Sequence, residues 1–267
     1  MKTPYASVLT IAGSDSGGGA GIQADIKSIS ACGGYAASVI TATTAQNTMG
    51  VTDIHAIPVS HLARQLEAVF SDIQFGAIKI GMLHDCTVIA TVQEKLTDYQ
   101  AKNIVLDPVM VATSGDRLIN EAAIDCLKAL LPLADLITPN LPEAELLLGR
   151  AIDAQHMASA AKALGEAYQT SVLLKGGHLE ENSKEMVDVL YLMGSDEWVT
   201  IRNPKVDTNN THGTGCSLSS SIATYLSLGH ALSDAVEKGC FYVNQAIQKG
   251  KDKTLGAGHG PINHFGL

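Results

Sequence analysis

The stretch Asn210-Thr211-His212-Gly213-Thr214-Gly215-Cys216-Ser217 runs directly into an apolar segment that ends at Leu228. Two glycines and small hydroxyl residues therefore precede a helix that lacks a bulky cap. The first N–H groups of such a helix have no partner within it. Together with the positive end of the helix dipole, they converge on whatever occupies the turn. A transferring phosphoryl group suits that place, because its equatorial oxygens carry negative charge in the transition state. The amides of Gly213, Thr214, Gly215 and Cys216 are the expected anion hole. Cys216 stands near the helix start, where a thiol pKa is expected to fall. It reads either as a general base for a substrate hydroxyl or as a small buried hydrophobe.

Other residues fit the same chemistry. Asp107 ends a strand before Pro108, and Asn140-Leu141-Pro142-Glu143 follows another strand. Two carboxylates so placed, Asp107 and Glu143, are expected to organise Mg²⁺ on a nucleotide triphosphate, with Asn140 beside the nucleotide. Taken singly, Asn140 and Glu143 also read as a helix cap and a first-turn acid. Lys175 follows a strand in Lys175-Gly176-Gly177-His178. It reads either as a point charge on a β- or γ-phosphate or as a lysine snorkelling to water. Gln46 offers a neutral amide to a heteroaromatic edge, or bonds to loop backbone. The glycine-rich loop 13–21 reads as a close-approach wall for a small flat substrate, or as a tight turn. Within it Gly19-x-Gly21-x-x-Ala24 nominally matches the dinucleotide fingerprint, but the second strand ends in Thr43-Thr44-Ala45-Gln46, without the acid that fingerprint needs. His55, His61, His84, His156 and His230 show no metal spacing and are assigned to surface or structure.

Alternating strand and helix patterns must position these groups. Strands are expected at 7–12, 36–44, 77–80, 104–107, 136–138, 171–175, 186–192 and 198–202, the last two antiparallel around Gly194-Ser195-Asp196. Helices are expected at 22–32, 61–70, 87–96, 121–131, 142–148, 157–168, 216–227 and 232–247. Repeated strand–helix units imply a three-layer α/β fold with a mostly parallel sheet covered on both faces. Ligands of such sheets bind beyond the carboxyl ends of the strands. The expected functional loops are 13–21, 44–50, 81–85, 107–116, 139–143 and 175–178.

Composition agrees. The 267 residues are 46% hydrophobic but only 4% aromatic, so the core is built from small aliphatics. The net charge of −9 comes without a basic block, which disfavours nucleic acid as a partner. No segment reaches the roughly 18 apolar residues of a membrane span, and no signal-peptide pattern opens the chain. Five cysteines (Cys32, Cys86, Cys126, Cys216, Cys240) with no C-x-x-C pair are expected to be reduced thiols of a cytoplasmic protein. With no linker or repeat, residues 1–267 read as one domain.

The run Thr10-Ile11-Ala12-Gly13-Ser14-Asp15-Ser16-Gly17-Gly18-Gly19-Ala20-Gly21-Ile22-Gln23-Ala24-Asp25 closely resembles the opening of bacterial hydroxymethylpyrimidine/phosphomethylpyrimidine kinases of thiamine biosynthesis. Segments 41–51, 106–108, 138–145, 172–179, 209–217 and 258–261 resemble the same family in the same order. The resemblance implies a ribokinase-like fold and two ATP-dependent phosphorylations, of 4-amino-5-hydroxymethyl-2-methylpyrimidine and then of its monophosphate. It implies that Gln46 meets the pyrimidine edge, that Gly13, Ala20, Met82 and Val109 wall the substrate pocket, and that Asp25 lies nearby. Asp107 and Glu143 then serve Mg²⁺ and phosphates, and Lys175 and Thr214 reach the nucleotide. A homodimer is implied as well. The wider ribokinase-like superfamily usually has Asp where Cys216 stands, which weakens the general-base assignment. A pyridoxine/pyridoxal kinase on the same scaffold is the nearest rival, and Gln46 favours the aminopyrimidine because its carbonyl accepts from an exocyclic amine. A pyrimidine-sensing protein without turnover and a nicotinamide-dependent oxidoreductase are the more distant rivals.

Overall fold

A computed structural model of the chain describes residues 3–110, 119, 122–176 and 184–266. Nine strands form one sheet: β1 (Ser7–Asp15), β2 (Tyr35–Asn47), β3 (Gly50–Ala56), β4 (Ala77–Ile80), β5 (Ile104–Leu106), β6 (Leu136–Ile137), β7 (Ser171–Lys175), β8 (Glu185–Leu192) and β9 (Glu197–Pro204). Their order is β3-β2-β1-β4-β5-β6-β7-β8-β9. The six strands from β2 to β7 in that order run parallel, and the ends β3, β8 and β9 pair antiparallel.

The central strands are apolar on both faces and sort by period two. Leu9, Ile11, Ile78, Ile80, Ile104, Leu106, Ile137, Val172 and Leu174 enter one core, with residues of α2 (Val59–Phe70), α3 (Cys86–Asp98), α4 (Ala123–Leu130), α5 (Leu141–Leu148) and α6 (Met157–Tyr168). Val8, Ala77, Val105, Leu136 and Leu173 enter the other, with α1 (Gly21–Ala31), α7 (Thr214–Ser227) and α8 (Leu232–Gly250). This is the three-layer architecture that strands buried on both faces require.

Several expectations need correction. Strand β3 was not anticipated. Gly50–Ala56 is polar and largely exposed, so it presents no apolar alternation; it is held as an edge strand by pairing with the end of β2. Strands β1 and β2 both run three residues past their expected ends, to Asp15 and Asn47. The register shifts between Ala12 and Ser14 and between Ala45 and Gln46. Such irregularities re-aim side chains at strand ends, here into the candidate site.

The cysteines are not all free thiols. Cys86, the first residue of α3, is disulfide-bonded to Cys126 of α4 across 40 residues, while Cys32, Cys216 and Cys240 are free. Sequence spacing carried no sign of this, because the pairing follows from two neighbouring helices whose Cα atoms come within 5.5 Å. Residues 111–116 of the expected loop, Glu121 of the expected helix, and Gly177 and His178 lie outside the described residues.

Candidate active site

The loops leaving the parallel strands and the start of α7 enclose a cavity of about 730 Å³, within the usual range for small-molecule sites. Gly213 caps α7 at φ 83°, and a Cβ there would lie 1.8 Å from the Gly19 carbonyl oxygen. Only glycine allows that approach. The glycine-rich loop is thereby pressed onto the helix start, and no side chain caps α7. Its first turn faces the cavity, as an anion site requires.

Asp15 organises the glycine-rich loop. Its carboxylate accepts from the N–H groups of Gly17, Gly19 and Ala20 at 2.7, 3.0 and 2.8 Å, and from His212 Nε2 at 3.1 Å. Burial alone would raise this carboxyl, but the His212 ring and the Ala20 and Gly17 amides outweigh it and hold the pKa below the ordinary value.

Asp107, Lys175 and Gly215 come together from three elements. Asp107 Oδ1 accepts from Lys175 Nζ at 3.0 Å and from Thr138 Oγ1 at 3.0 Å. Its Oδ2 faces α7: a Cβ on Gly215 would sit 3.2 Å from Oδ2 and 3.5 Å from Lys175 Nζ. Burial would lower the Lys175 pKa, yet Asp107 and Glu143 overcome it and keep the ammonium charged.

Glu143 and Asn140 form a capping box on α5, with Asn140 N donating to Glu143 Oε2 at 2.8 Å and Glu143 N donating to Asn140 Oδ1 at 2.9 Å. The capping role weighed from the sequence is therefore realised, and both residues still line the cavity. Burial pushes the Glu143 carboxyl up to about 7, with Lys175 lowering it and Asp107 raising it.

On the substrate side, Gly13, Ala20, Gln46, Met82 and Val109 all line the cavity, as do Thr214 and Cys216. The Met82 methyl would meet a Cβ on Gly13 at 2.6 Å, so the missing side chain leaves room for Met82. Asp25 is different. It is fully buried behind the cavity, where both carboxylate oxygens bond Lys79 Nζ at 2.9 and 2.8 Å. Thr10 and Ser220 hydroxyls complete its partners at 2.6 and 2.7 Å. No accepting capacity is left there for a substrate.

Cys216 overturns one expectation. Its thiol pKa is raised to about 11: burial dominates, Lys79 lowers it, Asp25 and Asp107 raise it, and the Gly21 N–H lowers it. Desolvation outweighs the help of Lys79, whose ammonium is already held by both Asp25 oxygens. The thiol is therefore protonated at neutral pH.

The sequence assigns no role to Asp15, Thr44 and His212, which line this cavity, or to Lys79, which is fully buried at its back wall. Asp15 carried a usable signal, since an Asp before three glycines is a common side-chain cap of a turn. Lys79 carried none, being one polar residue in an apolar strand. The cavity also extends beyond Lys175 into a slot walled by Met186, Val206, Val243 and Ile247. Among the described residues no group of three or more His, Cys, Asp or Glu is arranged to hold a metal, and no helix is long and apolar enough to cross a membrane. Two carboxylates still fit Mg²⁺, which keeps several waters and commonly takes only one or two protein ligands beside phosphate.

A family model described as phosphomethylpyrimidine kinase matches residues 15–263. The thiamine biosynthesis bifunctional protein ThiED of Geobacter sulfurreducens is 48% identical over 264 residues, which cover 98% of this chain and 53% of that protein. The hydroxymethylpyrimidine/phosphomethylpyrimidine kinase of Haemophilus influenzae is 45% identical over 260 residues, covering 97% of this chain and 96% of that one. This chain thus spans about half of the bifunctional relative and nearly all of the stand-alone kinase. The ADP complex of Bacillus subtilis pyridoxal kinase superposes with a TM-score of 0.88 at 31% identity, covering 98% of each chain. The fold is ribokinase-like, as expected from the sequence.

Proposed function

We propose, since this chain belongs to the phosphomethylpyrimidine kinase family, that it transfers the terminal phosphoryl group of ATP to the hydroxymethyl group of 4-amino-5-hydroxymethyl-2-methylpyrimidine and then to the resulting monophosphate. The observation that carries this reading is the meeting of Asp107, Lys175 and the uncapped start of α7 in one cavity with Gln46. Phosphoryl transfer of this kind rests on positioning and charge neutralisation. Lys175 and the α7 amides supply fixed positive potential, and the apolar slot beyond Lys175 suits the nucleoside. Asp107 and Glu143 would hold Mg²⁺, which neutralises phosphate charge when bound. Thr214 and Asn140 flank the nucleotide, and the substrate hydroxyl lies toward Cys216. A thiol that is protonated at neutral pH is a poor general base, and loose transfer needs little base assistance.

Gln46 separates this reading from pyridoxal phosphorylation, because its carbonyl can accept from the exocyclic amine of the aminopyrimidine, a group that pyridoxal lacks. The higher identity to the pyrimidine kinase, 45% against 31%, points the same way. The reading extends to a cytoplasmic enzyme working as a homodimer.

The test is ADP release with Mg-ATP and hydroxymethylpyrimidine, its monophosphate or pyridoxal. Turnover of both pyrimidines, with pyridoxal much slower, is expected. A preference for pyridoxal would overturn the assignment, and binding without any turnover would move the chain to a sensing role.

A further inference from the structure

Gln46 has two side-chain neighbours, and neither is free in its hydrogen-bonding role. Its Oε1 lies 3.0 Å from Thr44 Oγ1, and its Nε2 lies 3.4 Å from His212 Nε2. His212 Nε2 is also 3.1 Å from Asp15 Oδ2. A carboxylate only accepts, so that ring nitrogen carries a proton. Thr44 Oγ1 is also 3.0 Å from the Ser14 carbonyl oxygen, which likewise only accepts. The single hydroxyl proton is committed there, and Thr44 offers Gln46 a lone pair.

Gln46 therefore stands between an N–H on one side and a lone pair on the other. An amide nitrogen toward His212 sets donor against donor, and an amide oxygen toward Thr44 sets acceptor against acceptor. A half-turn of the amide removes both conflicts: nitrogen donates to Thr44, and oxygen faces the Nε2–H that His212 shares with the nearer Asp15 carboxylate. The hydrogen-bond network decides between the two senses. Each amide atom keeps one further valence, an N–H on the Thr44 side and a lone pair on the His212 side. The cavity is then offered donor and acceptor side by side, in a set order.

We infer that Thr44 and His212 are specificity-determining positioning residues: they fix the sense of the Gln46 amide, which then selects a heteroaromatic edge carrying an exocyclic N–H beside a ring nitrogen. This deepens the kinase reading and rests on it. Thr44 and Gln46 are two residues apart on β2, so the period of two puts their side chains on one side, within hydrogen-bond reach. An edge without the exocyclic donor leaves the amide oxygen half-used, and unpaired buried polar groups are where such sites discriminate strongly.

Steady-state kinetics of wild type, Thr44→Val and Thr44→Ser with Mg-ATP and either hydroxymethylpyrimidine or pyridoxal tests this. Valine keeps the shape and removes the lone pair. In Thr44→Val the KM for the pyrimidine rises about tenfold, the worth of one neutral hydrogen bond. Its kcat stays within about threefold, and the ratio of kcat/KM for pyrimidine over pyridoxal falls about tenfold. Thr44→Ser restores both, which a merely structural loss of packing would not do. An unchanged ratio in Thr44→Val, with the wild type active on the pyrimidine, overturns the inference alone. A wild type that turns over no pyrimidine overturns the kinase reading beneath it.

Discussion

Two lysine–aspartate pairs sit in the same sheet region and do opposite things. Lys79 of β4 and Asp25 of α1 are sealed, each side chain 0% exposed. Both Asp25 oxygens hold the ammonium, and Thr10 and Ser220 take the remaining capacity. Lys175 of β7 and Asp107, just beyond β5, share a contact of nearly the same length, but only through Oδ1. The other oxygen is turned to the start of α7, and the Lys175 side chain is 16% exposed at the cavity. The chemistry is the same in both pairs, and the spare valence differs. A pair whose partners are all internal ties α1 to the sheet and to α7. A pair with one oxygen and one ammonium facing a cavity can still meet a ligand. Buried ion pairs are weak evidence of stability, but breaking one leaves a stranded charge.

The largest expected effect breaks the sealed pair. Asp25→Ala leaves the Lys79 ammonium uncompensated and destabilises the fold by about 3–5 kcal/mol, a fall in Tm of roughly 6–20 °C for a chain of this size. Calorimetry measures it. An Asp25→Ala protein with wild-type Tm would erase the contrast.

Lys175→Met probes the open pair. Its ammonium is expected to act on transferring charge, so kcat falls roughly 10²–10³-fold, as for loss of one preorganised donor. Asp107 is itself buried, but it keeps the Thr138 hydroxyl on Oδ1 and its Oδ2 faces the start of α7, so the fall in Tm is expected to be smaller than that of Asp25→Ala. ADP-release kinetics and calorimetry on the same sample check both halves. A Tm loss as large as that of Asp25→Ala would place Lys175 with the scaffold.

The two pairs also show what was legible in the sequence. Lys175 and Asp107 stand at strand ends, and the carboxyl ends of parallel strands are where such folds bind ligands. Their period-two apolar strands and following helices were readable, so their placement was too. The family resemblance puts Asp25 near the substrate pocket, since it lies in the same motif as the glycine-rich loop. One turn into α1, however, its side chain points back to the sheet. Helical phase cannot say which buried lysine waits there, since the Lys79–Asp25 pairing spans 54 residues. Strand β3 and the Cys86–Cys126 bond were hidden for the same reason: one is stabilised by its neighbour strand rather than by its own pattern, and the other by helix adjacency. His212 shows no role within its own motif, because its tie to Asp15 spans 197 residues.

The smallest perturbation asks where the charge of Lys79 goes. A thiol near a helix start, with an ammonium in reach, is expected to ionise easily. If Asp25 takes up that ammonium, burial wins and the Cys216 pKa stands near 11. Alkylation follows the thiolate fraction, so below that pKa its rate rises about tenfold per pH unit. Iodoacetamide labelling of Cys216, followed by mass spectrometry on the folded wild-type enzyme, is therefore expected to speed up about a hundredfold between pH 7 and pH 9. The sign is that of an acid whose neutral form is favoured in the fold: raising pH creates the reactive species, and lowering it removes it. A rate that levels off below pH 8 would mean that Lys79 lends its charge to the thiol. The sealed pair would then belong to the reacting centre, and the line between scaffold and site would run behind Lys79 rather than in front of it.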